Sequence, residues 1–218
     1  MRQLGLSIAG LLFATAVHAA ETAVDDGEAL VNEFVTDVVT FAGDFEQSLI
    51  DPDGRLLETT TGTLEIQRPG QFRWVYSEPY EQWLIADGTN IWSYDVDLEQ
   101  VTVKAQADAL ANTPALLLGG SGEAMEQFEY DGSFVESGLT WVRLLPVDTD
   151  SGFRRVELGF YNRQLGRMVF LDNLEQTTVV VLKNVAVNEP IDAGRFEFVV
   201  PDDVDVVGKP AAAKLSAD

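Results

Sequence analysis

From residue 41 onward the chain is built of short runs in which apolar and polar residues alternate, separated by turn residues. Residues 63–67 alternate in this way, and residues 72–76 place three aromatic side chains on one face. Asp87-Gly88 lies between two such runs and is typical of a tight hairpin turn. A period of two indicates strands with one buried face, so this pattern constrains the fold more than any other feature.

The strand-like runs span nearly the whole chain. They cover residues 41–49, 63–67, 72–76, 81–86, 90–94, 100–104, 127–130, 139–145, 154–160, 168–171, 177–182 and 196–199. About eleven short strands at hairpin spacing, with no alternation of strands and helices, predict a mainly β fold. We expect one antiparallel sheet curled into a barrel or half-barrel.

Two segments lack this alternation and are predicted to be helices, one before the first strand and one in the middle of the chain. The first has apolar residues at helical spacing, at Leu30, Val31, Phe34, Val35 and Val38. The second, residues 112–120, has a cap residue, a proline at the first helical position, three leucines and two terminating glycines. The second segment is short and unusually apolar.

The N-terminus predicts a signal peptide over residues 1–20. Arg2 precedes a short apolar run, and small residues follow at a spacing that suits cleavage after Ala19 or Ala20. A retained N-terminal anchor helix is the alternative, although glycines interrupt the run. The chain contains no cysteine, so we expect the mature protein to carry no lipid anchor and no disulfide.

Composition excludes several classes of function. Cleavage would remove His18, the only histidine, and the chain has no cysteine, so histidine triads, thiolate nucleophiles and zinc sites are excluded. The formal net charge of −22 argues against nucleic acid, whose phosphates require a basic surface. Acidic pairs could still serve a hydrolase, but among 36 acidic residues some will lie close together by chance.

An aromatic set on consecutive strands is the remaining candidate for a site. It comprises Phe72, Trp74, Tyr76, Trp83, Trp92, Tyr94 and Trp141. These residues could simply form the core of the sheet. A curved sheet with few helices to fill its concavity would instead leave an apolar cavity closed by a lid.

Residues 62–76 closely resemble the signature of a known family. They read Gly-Thr-Leu-Glu-Ile-Gln-Arg-Pro-Gly-Gln-Phe-Arg-Trp-Val-Tyr, with Pro79 after them. Similarity continues through residues 41–47, Asp87-Gly88 and residues 112–114. The chain therefore resembles the LolA family of periplasmic outer-membrane lipoprotein carriers.

The resemblance implies an incomplete antiparallel barrel with a helical lid over an apolar cavity, and no enzymatic activity, cofactor or metal. It implies a soluble periplasmic chaperone, expected to be a monomer, that receives acylated lipoproteins from an inner-membrane ABC release complex. The chaperone would deliver them to an outer-membrane acceptor of the same fold. That acceptor is itself a lipoprotein, so the absence of cysteine favours the carrier.

The resemblance also implies site residues. Arg68 matches the arginine that latches the lid through backbone carbonyls. The residues expected to bind acyl chains are Phe72, Trp74, Tyr76, Trp92, Leu116, Leu117 and Leu118. In the lid, Ala115 and Gly119-Gly120 replace bulkier residues of the family, which allows a smaller or more flexible lid.

The predicted organisation is a signal peptide over residues 1–20, a half-barrel domain over 21–201 and a loosely ordered tail over 202–218. Two other classes stay open: a hydrolase that acts with acidic residues on an envelope polymer, and a sensor module of the same fold. Sensors of that kind have a second domain, for which this chain has no room.

Overall fold

The computed structural model describes residues 26–106, 119, 122–148 and 151–211. The helix α1 spans Gly27–Asp37, and short 3-10 helices span Gly122–Gln127 and Ala193–Phe196. The strands, in chain order, are β1 (Thr40–Ile50), β2 (Leu56–Gln67), β3 (Gln71–Glu78), β4 (Gln82–Asp87), β5 (Asn90–Asp95), β6 (Gln100–Ala105), β7 (Phe128–Glu136), β8 (Leu139–Pro146), β9 (Phe153–Tyr161), β10 (Gln164–Asp172), β11 (Thr177–Val187) and β12 (Asp205–Gly208).

All twelve strands belong to one sheet, in the order β12-β6-β5-β4-β3-β2-β1-β11-β10-β9-β8-β7. Neighbouring strands are antiparallel, except that β12 runs parallel to β6. Within the described part of the chain the sheet is open, because β12 and β7 stand at the two ends of this order. The prediction of a mainly β, incomplete antiparallel barrel is confirmed.

One face of the sheet, here called the inner face, carries the core. Its buried apolar side chains come from β1–β5 and β8–β11 and form one cluster with α1. The helix contributes Leu30, Val31, Phe34 and Val35, whose spacing places them on one side of a helix. The Phe34 ring meets the Phe41 ring edge-on at 6.1 Å and the Phe160 ring at 6.3 Å, so α1 covers the inner face near the start of β1 and the end of β9.

The inner face continues beyond α1 toward the opposite end of the sheet. There β1, β3 and β5 finish at Ile50, Glu78 and Asp95. We call this the open end.

No helix in the described ranges is long and apolar enough to span a membrane.

Residues 196–199 do not form the predicted strand. The preceding Asp192 side chain accepts a hydrogen bond of 2.9 Å from the Gly194 amide and starts a 3-10 helix that ends at Phe196. Phe196 is fully buried, and Phe198 lies against the Trp92 ring with 5.3 Å between ring centres. Apolar side-chain contacts with the outer face of the sheet therefore replace strand pairing here.

The chain forms its twelfth strand further on, within the segment predicted as a loosely ordered tail. Residues 205–208 pair in parallel with residues 100–103 of β6. Val206 and Val207 remain about half exposed, so main-chain pairing rather than burial holds this strand. The predicted signal peptide and residues 212–218 lie outside the described residues.

Candidate functional site

Three of the predicted acyl-binding residues lie side by side on the inner face. Phe72, Trp74 and Tyr76 alternate along β3, and Phe72 and Trp74 pair across β2 with the buried Ile66 and Leu64. Phe45 of β1 joins them, with its ring centre 5.0 Å from that of Trp74 and 5.4 Å from that of Tyr76. The result is a continuous aromatic surface that leads from α1 toward the open end.

A glycine makes room for this aromatic surface. A Cβ atom at Gly62 would lie 1.8 Å from the Val75 carbonyl oxygen and 2.8 Å from the Phe45 ring. The β2–β3 pairing shifts register between Thr61 and Gly62, which is a bulge at the same point. The absence of a side chain at residue 62 lets the Phe45 ring lie directly over the backbone.

Trp92 is not brought together with these residues. Its neighbour Ile91 pairs with Ala86, which pairs with Phe72, so Ile91 faces inward and Trp92 faces outward. The Trp92 indole N–H donates a 2.8 Å hydrogen bond to Asp87. The outer face around Trp92 is covered by the segment that contains Phe198.

The other members of the predicted aromatic set also lie on the outer face. Trp83 and Tyr94 pair across β4 and β5, with ring centres 5.8 Å apart. Trp141 stacks on Phe134 at 6.3 Å. The aromatic set thus divides between the two faces, and only the β3 members belong to the inner surface.

Arg68 lies where the sequence resemblance predicts a latch. Its guanidinium donates hydrogen bonds to the Phe34 carbonyl, at 2.9 Å, and to the Val38 carbonyl. It also lies 4.6 Å from the centre of the Phe34 ring, a cation–π contact. Burial lowers the pKa of Arg68 to about 10, so the side chain remains a cation near neutral pH. A cation suits this position because carbonyls at a helix C-terminus carry negative partial charge.

The turn that carries Arg68 is tied to the second predicted helix at one described residue. Gly70 has φ +80°, in the left-handed region that favours glycine, and its amide donates a 2.8 Å hydrogen bond to the Gly119 carbonyl. Gly119 lies against Phe72, since a Cβ atom there would be 3.0 Å from the ring. Leu116, Leu117 and Leu118 lie outside the described residues.

A second arginine holds α1 from the other side. Arg163, in the turn between β9 and β10, forms ion pairs of 2.9 Å with Asp26 and 2.6 Å with Glu33. Sequence reasoning missed this residue, because nothing local to an exposed turn indicates two acidic partners on a helix more than a hundred residues earlier. Arg68 and Arg163 together fix the helix over the inner face.

At the open end the inner face widens into a cavity of about 510 Å³. The cavity is lined by Gln47, Glu58, Thr60, Tyr76, Pro79, Tyr80, Gln82, Asp95, Asp97 and Leu98. Burial raises the pKa of Tyr76, which keeps its hydroxyl protonated. The surface therefore changes from apolar near α1 to polar and acidic at this end. Within the described residues no group of three acidic or histidine side chains could hold a metal ion.

An open sheet with an aromatic inner face, covered at one end by a latched helix and polar at the other, is typical of a protein that binds apolar ligands. The family model of the outer membrane lipoprotein carrier protein LolA matches residues 36–199, and the chain belongs to this family. Since the family consists of carrier proteins, the prediction of a binding protein rather than an enzyme is confirmed.

Close relatives share this family name. The outer-membrane lipoprotein carrier protein of Bordetella avium is 38% identical over 201 residues, which cover 92% of this chain and 94% of the relative. That of Methylococcus capsulatus is 37% identical over 176 residues, covering 81% and 85%. A solved structure of an uncharacterized conserved protein from Thermus thermophilus, 13% identical, covers 84% of this chain and 96% of its own with a TM-score of 0.52. This last likeness concerns the fold alone.

Proposed function

We propose that this protein is a periplasmic chaperone that binds the acyl chains of lipoproteins on its inner face and carries them to the outer membrane. The observation that carries the proposal is the helix α1, latched by Arg68 and sharing one apolar cluster with the aromatic surface of Phe45, Phe72, Trp74 and Tyr76. Family membership supports it, because the relatives are named outer-membrane lipoprotein carrier proteins.

The latch meets an energetic requirement of a carrier. Burying hydrocarbon is worth about 0.8 kcal/mol per methylene, so one long acyl chain could gain on the order of 12 kcal/mol. Cargo held at that strength would not leave on a useful timescale. Opening α1 costs the Arg68 hydrogen bonds and exposes apolar helix residues, and these costs lower the net affinity.

The proposed partners are those that the family resemblance implies. An inner-membrane ABC release complex would load the carrier, and an outer-membrane acceptor of the same fold would receive the cargo. Transfer to the acceptor needs no nucleotide if the acceptor binds acyl chains more tightly. Leu116, Leu117 and Leu118 are proposed to complete the apolar surface as part of the lid, next to Gly119.

Native mass spectrometry of the protein purified from the periplasm tests the proposal. We expect complexes whose added mass equals that of an acylated lipoprotein, and we expect that cargo to pass to an acceptor in a two-protein assay. The control is the same protein denatured and refolded without lipid, which should lose the added mass and regain it with a purified lipoprotein. Cargo-free protein that also fails to take up a purified lipoprotein would contradict the proposal.

A further inference from the structure

Two buried polar atoms on the inner face have no hydrogen-bond partner within the described ranges: the indole nitrogen of Trp74 and the hydroxyl of Thr60. The chain has four tryptophans. The indole nitrogens of the other three donate to Glu81 at 2.8 Å, to Asp87 at 2.8 Å and to the Glu136 carbonyl at 3.3 Å. Trp74 is only 8% exposed, and a buried indole N–H usually has an acceptor.

Both atoms lie on the path that leads inward from the open end. Thr60 pairs across β1 with Gln47 and lines the open-end cavity. Trp74 pairs with Leu64, four residues along β2 from Thr60, which corresponds to about 13 Å along a strand. One donor therefore lies at the mouth of the inner face, and the other lies within its aromatic surface.

The apolar surroundings of Trp74 show what kind of ligand would fit. Its ring contacts Phe45 and Tyr76, but no acceptor in the described residues, the Tyr76 hydroxyl included, lies within hydrogen-bond distance of the indole N–H. A ligand made only of hydrocarbon would leave the N–H unpaired in an apolar environment, which costs free energy. In a lipoprotein, each acyl chain is attached through the carbonyl group of an ester or amide. The oxygen of that carbonyl group only accepts hydrogen bonds.

We propose that the Trp74 indole N–H and the Thr60 hydroxyl donate hydrogen bonds to the carbonyl oxygens of the cargo's acyl linkages. This inference rests on the proposed function. The two donors fix how deep the lipid enters, with its hydrocarbon toward α1 and its glyceryl-peptide end at the open end. The site then selects acyl esters over hydrocarbon of equal length.

The test compares two synthetic lipopeptides of equal chain length, one with ester-linked and one with ether-linked chains, since the ether lacks the carbonyl oxygen. Calorimetric titration of the wild type should show tighter binding of the ester, by about fivefold per hydrogen bond. Trp74→Phe and Thr60→Val should each lower the ratio of ester affinity to ether affinity, and this ratio is read separately from any weakening that affects both lipopeptides alike. Trp83→Phe is the matched control, because Trp83 lies on the outer face and donates to Glu81.

The outcomes separate this inference from the proposed function. Equal binding of ester and ether by the wild type would overturn the carbonyl contacts and leave the carrier function standing. A preference that persists in both Trp74→Phe and Thr60→Val would also overturn them. Failure of the wild type to bind either lipopeptide would instead contradict the proposed function. Circular dichroism of each variant verifies that it is folded.

Discussion

The guanidinium of Arg68 binds Phe34 in two ways at once, by a 2.9 Å hydrogen bond to its carbonyl and by a cation–π contact of 4.6 Å with its ring. Phe34 also touches Phe41 and Phe160, so the same side chain belongs to the arginine site and to the core. Movement of α1 away from the sheet must break both contacts together. We therefore expect the helix to move between two discrete positions rather than through a continuum.

Arg68→Leu should therefore shift the helix toward its open position. Cargo capture is expected to persist, because the apolar inner face is unchanged, but the closed empty state loses its charge-assisted hydrogen bonds. A shift of about 1.4 kcal/mol would slow cargo transfer to the acceptor roughly tenfold. Transfer from loaded carrier to purified acceptor, followed by pull-down over time, measures this rate.

Arg73→Leu is the matched control for the Arg68 variant. Arg73 is the arginine of the adjacent strand, but its side chain faces outward, where it pairs with Glu65 and lies over Trp83. We expect its transfer rate to equal that of the wild type.

Because the pKa of Arg68 is still about 10, the rate of cargo transfer by the wild type should be constant between about pH 6 and 8.5. Unchanged transfer by Arg68→Leu would remove Arg68 from the mechanism.

Arg163→Gln should loosen the N-terminal half of α1 without affecting Arg68. Hydrogen bonds from Arg163 to Glu33 and Asp26 raise the pKa of the arginine, which indicates that its cationic form is stabilised by these partners. All three side chains are about half exposed, so we expect little change in global stability. Hydrogen exchange of the α1 amides should be faster, and salt should produce the same effect in the wild type.

The control for Arg163 is Arg154→Gln, which removes an exposed ion pair with Glu175 far from α1 along the sheet. Exchange of the α1 amides should be the same in this variant as in the wild type. If Arg163→Gln leaves α1 exchange at the wild-type rate, the helix is held without this residue.

Gly62→Ala should destabilise the protein by about 1–3 kcal/mol, the usual cost of forcing extra atoms into a closely packed site. The added methyl would meet the Val75 carbonyl and the Phe45 ring, so the aromatic surface must move as well. Urea denaturation measures the free energy of unfolding. Gly152→Ala is the control, because a Cβ atom there has no neighbour within 4 Å. Equal stability of the two variants would contradict the close approach at residue 62.

Much of the fold could be predicted from the sequence, because alternation and turn residues are local signals. The same signals misassigned residues 196–199. Their Phe-Glu-Phe pattern is strand-like, but Phe196 is buried at the end of a 3-10 helix that contacts β3 and β4, and Phe198 packs on Trp92 of the outer face. The twelfth strand was missed for the opposite reason, since residues 205–208 pair by backbone and leave their valines about half exposed.

The site was harder to predict than the fold. Ile91 and Trp92 are adjacent and both apolar, so no periodicity tells which of the two faces α1; only the pairing of β3, β4 and β5 decides it. For Arg68, the sequence resemblance indicated a latch, but the acceptors are carbonyls at the end of α1, which carry no sequence signal. Side-chain identity alone therefore indicated candidate residues, but neither the face of the sheet on which each one lies nor the contacts that it makes.

Asp87→Asn should make stability less dependent on acid pH. Burial raises the pKa of the Asp87 carboxyl, but hydrogen bonds from the Trp92 ring and nearby amides outweigh it and lower the pKa below its ordinary 3.8. The stability gained from a lowered carboxyl pKa is present above the unfolded value and is lost as pH falls through the folded value. The difference in stability between the wild type and Asp87→Asn should be largest at neutral pH and should decrease toward about pH 3. Thermal unfolding across this range tests it, with the exposed Asp53→Asn as control.

Trp74→Leu and Trp92→Leu should separate the two faces of the sheet. Each substitution removes a large aromatic ring and should lower the free energy of unfolding by about 1–3 kcal/mol. Only Trp74 lies with Phe45 on the inner face, so only Trp74→Leu should weaken binding of a lipopeptide. Trp92→Leu loses its contacts with Asp87 and Phe198 on the outer face and should bind lipid as the wild type does. Weakened lipid binding in a folded Trp92→Leu variant would show that acyl chains also use the outer face, which would contradict a lipid site confined to the inner one.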